Sequence, residues 1–215
     1  MRKRLLLPLI TVLFTPFLIR AEWIPLNKLN TSPEPPNVTL VSDDGNSTVL
    51  KIEISGFDLK QFTAQGKQFQ RVDLMSESFT TEVGNPELPY VAKVLAIPDQ
   101  AGISLEILET GDLQTFNNIS LPPARESWIE GSPETPYLEN PHGYQSQLVF
   151  PSELARLDEP SVFRDFRIIR VSVFPVRYIA AKKELQIVSS LMVKINYGKG
   201  ETINPKSGPK KPIAP

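Results

Sequence analysis

The sequence predicts an all-β protein, an antiparallel β-sandwich or jelly-roll-like single domain with little helix. Three observations predict this class. Short segments alternate apolar and polar residues with a period of two, which a half-buried strand requires. These segments are rich in β-branched and aromatic residues, which strands prefer. Proline-rich connections separate them, and helical periodicity is nearly absent from the 215 residues.

The first 21 residues have the composition of a secretory signal peptide. Residues 2–4 are basic, residues 5–19 are almost wholly apolar, and Ala21 offers a small residue for cleavage. A membrane-spanning helix needs about 20 apolar residues, and this run is shorter and contains prolines. We therefore expect residues 1–21 to be removed, with no stable membrane span afterwards. The protein is then secreted through the inner membrane, to the periplasm, the cell surface or the medium.

Residues 22–37 contain four prolines among polar residues and predict an extended leading arm. The folded domain is predicted over residues 38–197. Its predicted strands are 38–42, 47–54, 90–97, 103–108, 168–174, 185–188 and 191–197. The turn-forming residues 43–46 predict a hairpin between the first two strands. The run 90–97 lies between two prolines and predicts a strand that is buried on both faces.

Two further segments complete the chain. Residues 152–157 predict one helical turn with Ser152 as its N-cap. Residues 198–215 carry four prolines with lysines and glycines between them. A segment of this composition has little apolar surface to bury, so it predicts a disordered tail.

Composition excludes several functions. The net charge of −1 provides no field that favours nucleic acid, and no patch that combines basic and aromatic residues is present. The chain has no cysteine, so it lacks disulfides and cannot itself be a cysteine peptidase. The only histidine is His142, which leaves no second histidine for a zinc site. We therefore predict no catalytic residue, no metal and no cofactor.

Two other functions stay open from the residues alone. A secreted or cell-surface binding module for carbohydrate or protein would use an exposed aromatic platform, for which Trp128, Tyr137 and Tyr144 are candidates. An enzyme with serine chemistry would need His142 near a carboxylate and a serine. No nucleophile-elbow motif marks such a serine.

Three stretches of sequence, in this order and spacing, carry a family resemblance. The first is Gly-Asn-Pro-Glu-Leu-Pro at residues 84–89, followed by an apolar run. The second is residues 150–160, and the third runs from Phe-Arg-Asp-Phe-Arg at residues 163–167 to residue 187. Together they resemble the N-terminal propeptide of the gingipain family of secreted bacterial cysteine peptidases. The resemblance covers about residues 79–197.

The motif residues to which we assign structural roles are Gly84, Pro86, Leu88, Pro89, Arg164, Asp165, Pro175 and Tyr178. Gly84 permits a positive φ, and the prolines that follow fix an extended path into a buried strand. Arg164 and Asp165 are expected to pin a turn by charged hydrogen bonds to the backbone. Pro175 is expected at a sheet edge or a bulge, where a partner could dock.

The resemblance implies a non-catalytic domain that precedes a peptidase. In that family the propeptide folds as a β-sandwich, assists the folding of the catalytic domain and inhibits it until it is cut away. The implied partner is therefore the catalytic domain of a secreted cysteine peptidase, encoded at the same locus or in a C-terminal part missing from this chain.

The resemblance also implies an inhibitory loop. In arginine-specific members, an arginine on this loop enters the specificity pocket of the peptidase. The matching loop here is residues 125–136, and the matching position falls near Trp128 or Ile129. Arg125 is offset by three or four residues. An apolar pocket is therefore the expected target of the loop.

Overall fold

The computed structural model describes residues 21–27, 31–198 and 201–208. These residues contain fifteen strands, one short helix and one 3₁₀ turn. The strands are β1 Ala21–Pro25, β2 Asn37–Asp43, β3 Ser47–Glu53, β4 Gly56–Ala64, β5 Lys67–Asp73, β6 Ser78–Phe79, β7 Pro89–Ile97, β8 Ile103–Thr110, β9 Leu113–Phe116, β10 Ala155–Leu157, β11 Ser161–Phe163, β12 Phe166–Val173, β13 Val176–Ile179, β14 Glu184–Val188 and β15 Ser190–Tyr197. The helix α1 is Pro141–Tyr144, and the 3₁₀ turn is Ala180–Lys182.

The strands pair antiparallel in four sheets, which confirms the predicted all-β class. The strand orders are β1-β4-β5, β10-β12-β7-β6 with β11 beside β12, β13-β14-β9, and β2-β3-β15-β8. Apolar side chains from all four sheets meet in one core, as Leu50, Phe57, Val171 and Ile187 illustrate. Burial of this shared core is the main term that stabilises a chain without disulfides. None of the helices in the described part of the chain is long and apolar enough to cross a membrane.

The predicted hairpin of β2 and β3 is confirmed. Its turn is organised by Asp44, whose carboxylate accepts the backbone N–H groups of Asn46 at 2.9 Å and Ser47 at 2.7 Å. These hydrogen bonds lower the pKa of the Asp44 carboxyl. Gly45 takes a positive φ of 77° at the turn. Turn chemistry and strand alternation therefore agreed in the sequence, and the local structure follows both.

The prediction that residues 90–97 are buried on both faces was wrong. Strand β7 is buried on one face only, since Val94 is 61% exposed. An antiparallel sheet needs cover on one side alone, so an apolar residue can remain on its outer face. The predicted arm contributes most of strand β1, in which Trp23 pairs with Asp58 of β4. The rest of the predicted signal peptide, residues 1–20, lies outside the described residues.

The long pair β4–β5 is absent from the predicted strands. Its register runs from Asp58 opposite Asp73 to Ala64 opposite Lys67. Most of its residues are polar, and only one in every two or three contributes to the core, as Leu59 and Val72 do. The sequence pattern was therefore weak, and pairing between the strands supplies the order.

Two further segments differ from their predictions. Residues 152–157 do not form a helical turn, because Leu154 accepts the N–H of Phe174 at 2.8 Å and β10 then pairs with β12. Residues 201–208, predicted as part of a disordered tail, lie against the domain. The N–H of Lys206 donates to the carbonyl of Asp99 at 3.0 Å.

Pro175 has a different role from the one predicted. It stands between β12 and β13, which belong to different sheets, so it marks a change of sheet and not a bulge in one strand. Its carbonyl accepts the N–H of Val188 at 2.9 Å. Proline suits this position because it has no N–H of its own to leave unpaired.

Candidate functional site

The motif at residues 84–89 lies beside the entry to the predicted loop. The N–H of Gly84 donates to Ala124 O at 2.9 Å, and the N–H of Ala124 donates to Asn85 O at 2.8 Å. The N–H of Glu87 donates to Pro122 O at 2.9 Å. Gly84 has the predicted positive φ, at 83°. The motif therefore runs antiparallel to residues 122–124 and fixes where the loop leaves the domain.

Further contacts join the same motif to residues 122–124 and to the core. Pro86 bridges to Pro123, and Leu88 is fully buried. Leu88 also exchanges hydrogen bonds with Thr80: its N–H donates to Thr80 Oγ1 at 3.0 Å, and its carbonyl accepts the Thr80 N–H at 2.8 Å. Pro89 then begins strand β7. The loop is thus attached to a rigid part of the fold.

The loop of residues 125–136 is closed by its own hydrogen bonds. The Thr135 hydroxyl donates to Glu126 O at 3.1 Å, across the base of the loop. At the tip, the N–H of Ser132 donates to Ile129 O at 3.0 Å, and the indole Nε1 of Trp128 donates to Ser132 O at 2.9 Å. The tip is therefore a tight turn with a defined shape.

Arg125 lies at the base of the loop and holds its two sides together. Its Nη1 donates to Glu134 Oε1 at 2.8 Å and to Thr135 O at 3.2 Å. Its guanidinium also lies 4.4 Å from the centroid of the Tyr137 ring, a cation–π geometry. These contacts occupy the side chain within the chain itself, so Arg125 is a support of the loop.

Trp128 and Ile129 are displayed at the tip. Trp128 is 53% exposed and Ile129 is 75% exposed, although both are large apolar residues. The exposed carboxylates of Glu126 and Glu130 flank them in sequence. An ordered loop that exposes apolar area in this way has the properties of a contact site for another protein.

Three aromatic rings pack together next to the base of the loop. Phe62, Phe69 and Tyr137 pack with centroid distances of 5.6 to 5.7 Å. Tyr144 is half-buried elsewhere, and its hydroxyl donates to Leu121 O at 3.0 Å. Burial raises the pKa of Tyr144 above its ordinary value. Of the three residues predicted for an aromatic platform, Trp128 alone is strongly exposed, and the three do not form one exposed surface.

A partly buried ion pair lies next to the motif. Arg71 Nη2 donates to Glu87 Oε1 at 3.2 Å, and Arg71 Nε lies 3.1 Å from Glu87 Oε2. The Arg71 guanidinium also lies 4.2 Å from the centroid of the Phe79 ring. Burial raises the pKa of Glu87, while the charges of Arg71 and Arg125 act in the opposite direction.

The motif residues Arg164 and Asp165 act through their backbone. Arg164 and Asp165 form the two-residue turn between β11 and β12, with Arg164 at a φ of 54°. In place of the predicted hydrogen bonds from their side chains, the Nζ of Lys206 donates to Asp165 O at 2.7 Å. The Arg164 guanidinium lies 5.5 Å from the centroid of the Phe163 ring. This turn is therefore a contact point for residues 201–208.

Tyr178 belongs to the core. Its hydroxyl donates to Ile119 O at 2.6 Å, and burial raises the pKa of Tyr178 to about 12. His142 is exposed on α1, where its backbone N–H donates to Asn140 Oδ1 at 3.1 Å. No group of metal-binding side chains occurs within the described ranges. Among the described residues, no hydrogen bond or ion pair joins the His142 ring to a carboxylate or a serine, so the structure gives no support to serine chemistry.

Sequence reasoning missed Arg167, which is 1% exposed. Its guanidinium donates to Pro98 O and Ala101 O, both at 2.8 Å, and to two carbonyls of residues 201–208. The signal was present in strand periodicity, because Arg167 shares the inward face of β12 with Ile169 and Val171. A charged residue at an inward position is a sign of a buried polar anchor.

A β-rich domain that holds one loop rigidly and exposes an apolar tip is a domain of the protein-binding class. The family model Propeptide_C25 matches residues 28–208. The chain therefore belongs to this family of propeptides, and the resemblance found in the sequence is confirmed.

Curated relatives and solved structures agree with this assignment. Gingipain R1 of Porphyromonas gingivalis is 27% identical over 165 residues, which are 75% of this chain and 16% of that protein. Lys-gingipain of the same species is 23% identical over 203 residues, which are 92% of this chain and 12% of that protein. The chain thus spans less than a fifth of the length of these two relatives.

Two solved structures share the fold. One is the complex of the pro- and mature domains of RgpB from Porphyromonas gingivalis, with a TM-score of 0.74 and 20% identity over 81% of this chain and 91% of that chain. The other concerns the zymogenic latency of gingipain K from the same species, with a TM-score of 0.72 and 20% identity. It covers 85% of this chain and all of that chain.

Proposed function

We propose that this chain is the non-catalytic propeptide of a secreted gingipain-type cysteine peptidase, and that it keeps the peptidase latent by binding its catalytic domain. The observation that carries the proposal is the anchored loop of residues 125–136, with Trp128 and Ile129 exposed at its tip. The family assignment supports it, and the related gingipain K structure concerns zymogenic latency. The related RgpB pro-domain is in complex with its mature domain.

The loop inhibits by presenting an apolar tip to a cleft of the peptidase. Binding transfers the Trp128 indole and the Ile129 side chain out of water, which is favourable in proportion to the apolar area buried. The hydrogen bonds within the loop fix its conformation before binding, so little conformational entropy is lost in the complex. Arg125 contributes by bracing the loop, since its guanidinium is bonded to Glu134 and Thr135.

The pocket that receives this tip selects apolar residues. A pocket built for arginine or lysine carries a buried carboxylate, and an indole would leave that charge unpaired. The carboxylates of Glu126 and Glu130 beside the tip would add repulsion in such a pocket. The partner peptidase is therefore expected to cleave after apolar residues and not after arginine or lysine.

Export and assistance in folding belong to the same proposal. Residues 1–21 direct the chain through the inner membrane. After export, the folded propeptide would offer its surface to the catalytic domain while that domain folds. A refolding assay of the denatured catalytic domain, with and without the chain, measures this effect. A yield of active enzyme that does not change would contradict the chaperone role.

The inhibitor role is tested by mixing the purified chain with the catalytic domain encoded in the same genome. Turnover of fluorogenic peptides with an apolar residue, arginine or lysine at the cleaved position reports inhibition and specificity. We expect inhibition by the wild-type chain and an inhibition constant raised roughly tenfold or more by Trp128→Ala. Leu148→Ala is the control, because Leu148 is also exposed but lies outside the loop. Unchanged turnover and no complex with the wild-type chain would overturn the proposal.

A further inference from the structure

Gly84 contacts both ends of the loop through its two backbone polar groups. Its N–H donates to Ala124 O at 2.9 Å, directly before the loop begins. Its carbonyl accepts the N–H of Asn140 at 2.8 Å, shortly after the loop ends. One residue of the motif therefore joins the chain entering residues 125–139 to the chain leaving them.

Position 84 favours glycine over other residues for two reasons. The φ of Gly84 is 83°, in the left-handed region where a Cβ is unfavourable. A Cβ here would lie 3.0 Å from the Cβ of Asn140 and 3.2 Å from its backbone nitrogen. It would also lie 3.4 Å from Leu138 O. A side chain at this position would thus push away the exit of the loop in particular.

Asn85 also contacts Ala124 and Asn140, and its contact with Asn140 is the longer one. Its carbonyl accepts the N–H of Ala124 at 2.8 Å, and its Oδ1 accepts from Nδ2 of Asn140 at 3.4 Å. Gly84 and Asn85 therefore form a clamp around Ala124 and Asn140. The clamp fixes the separation of the loop ends independently of the hydrogen bonds inside the loop.

We propose that Gly84 is a positioning residue for inhibition: it clamps the two ends of the loop so that Trp128 is held ready for the peptidase. This inference rests on the proposed function of the loop. Closing the ends of a flexible segment costs conformational entropy. Because folding of the domain already closes the loop ends, this entropy is not lost again when the chain binds its partner. Loosening the clamp weakens inhibition without removing any contact with the peptidase.

The test compares Gly84→Ala with Gly45→Ala in the full chain. Gly45 has a φ of 77° but open space where its Cβ would lie, so the two variants carry similar backbone strain and differ in the collision with Asn140. Hydrogen exchange of the amides of Ala124, Ser132 and Asn140 reports the loop in the isolated chain. We expect faster exchange and an inhibition constant raised roughly tenfold with Gly84→Ala. The thermal midpoint should stay close to that of Gly45→Ala.

A second pair of variants covers the case in which Gly84→Ala fails to fold. Asn140 has a φ of −73°, which proline accepts, so Asn140→Pro removes the N–H that donates to Gly84. Asn140→Ala removes the side-chain cap of α1 but keeps that N–H. Weaker inhibition by the proline variant than by the alanine variant supports the clamp.

The outcomes separate the clamp from the function of the loop. If the wild-type chain does not inhibit, the proposed function fails, whereas the exchange rates still report the clamp. Suppose the wild-type chain inhibits, but Gly84→Ala has the same amide exchange rates and inhibition constant as Gly45→Ala. The proposal that Gly84 positions the loop is then wrong.

Discussion

The loop of residues 125–136 and the segment of residues 201–208 are both irregular, and an arginine holds each of them. Arg125 belongs to the loop and bonds to the loop itself, at Glu134. Arg167 belongs to the domain and bonds to the segment, at Ile203 O and Asn204 O. A tie within a segment fixes its shape but leaves it exposed. A tie from the core fixes a segment to the surface.

The difference is consistent with different tasks for the two segments. The loop presents an apolar tip, whereas residues 201–208 are held at several points along their length. Asn204 Nδ2 donates to Pro160 O at 2.9 Å, and Thr202 donates to Gln100 O at 3.3 Å. Lys206 contacts Asp99 O and Asp165 O. Residues 201–208 are therefore held against the domain.

The largest expected effect comes from removing the tie of residues 201–208. Arg167→Met keeps the aliphatic length of the side chain but leaves four carbonyls without their donor. We expect the free energy of unfolding to fall by about 3 kcal/mol, measured by urea denaturation. The freed segment should also be cut faster after Lys206 by a lysine-specific protease.

Arg170→Met is the matched control on the same strand. Arg170 is exposed, and its ion pair with Asp158 is of the surface type that contributes about 1 kcal/mol or less. The Arg167 tie is refuted if the two variants lose equal stability, or if cleavage after Lys206 does not accelerate.

Sequence patterns predicted the parts of the fold where local and tertiary preferences coincide. The β2–β3 hairpin is one example, because its turn residues and alternating strands agree. The β4–β5 pair was missed because its outward residues are polar and its order comes from pairing between strands. Residues 201–208 were missed because composition reports apolar burial, whereas hydrogen bonds to Arg167 hold this segment.

The site was predictable in part for the same reason. The family resemblance predicted an inhibitory loop with Trp128 or Ile129 at its functional position, and this stays a prediction. The positive φ of Gly84 followed from its residue type. The partners of Gly84 lie 40 and 56 residues away in sequence, at Ala124 and Asn140. A single sequence has no local signal for contacts at that separation, so the clamp required a structure.

The next effect concerns the tie within the loop. Arg125→Ala removes an ion pair with the exposed Glu134 and a cation–π contact with Tyr137. Each contributes about 1 kcal/mol or less, so we expect a thermal midpoint that falls by a few degrees. Inhibition of the partner peptidase should weaken less than with Trp128→Ala.

This variant distinguishes a support from a specificity residue. If Arg125→Ala abolished inhibition while Trp128→Ala had little effect, Arg125 would be the residue that enters the pocket. Arg125→Lys refines the result, because lysine keeps the charge but lacks the planar guanidinium that stacks on Tyr137.

The smallest expected effect is a pH dependence of the free energy of unfolding. It comes from Glu87 in the motif beside the loop and not from residues 201–208. Burial raises the pKa of Glu87, although the charge of Arg71 opposes this. The folded state therefore binds a proton more tightly than the unfolded chain does. Between the two pKa values the folded protein carries more protons, so its stability falls as pH rises through that window. Arg167 remains charged throughout, so its tie should not change there.

Glu87→Gln should remove this fall, because glutamine does not titrate. Free energies of unfolding measured from about pH 4 to about pH 7 give the slope for each variant. Glu130→Gln controls for the loss of one charge, since Glu130 is exposed at the loop tip. A Glu87→Gln slope equal to that of the wild-type chain would show that Glu87 does not set it. A shallower slope would show that Glu87 makes stability depend on pH, with the folded state more stable at acid pH.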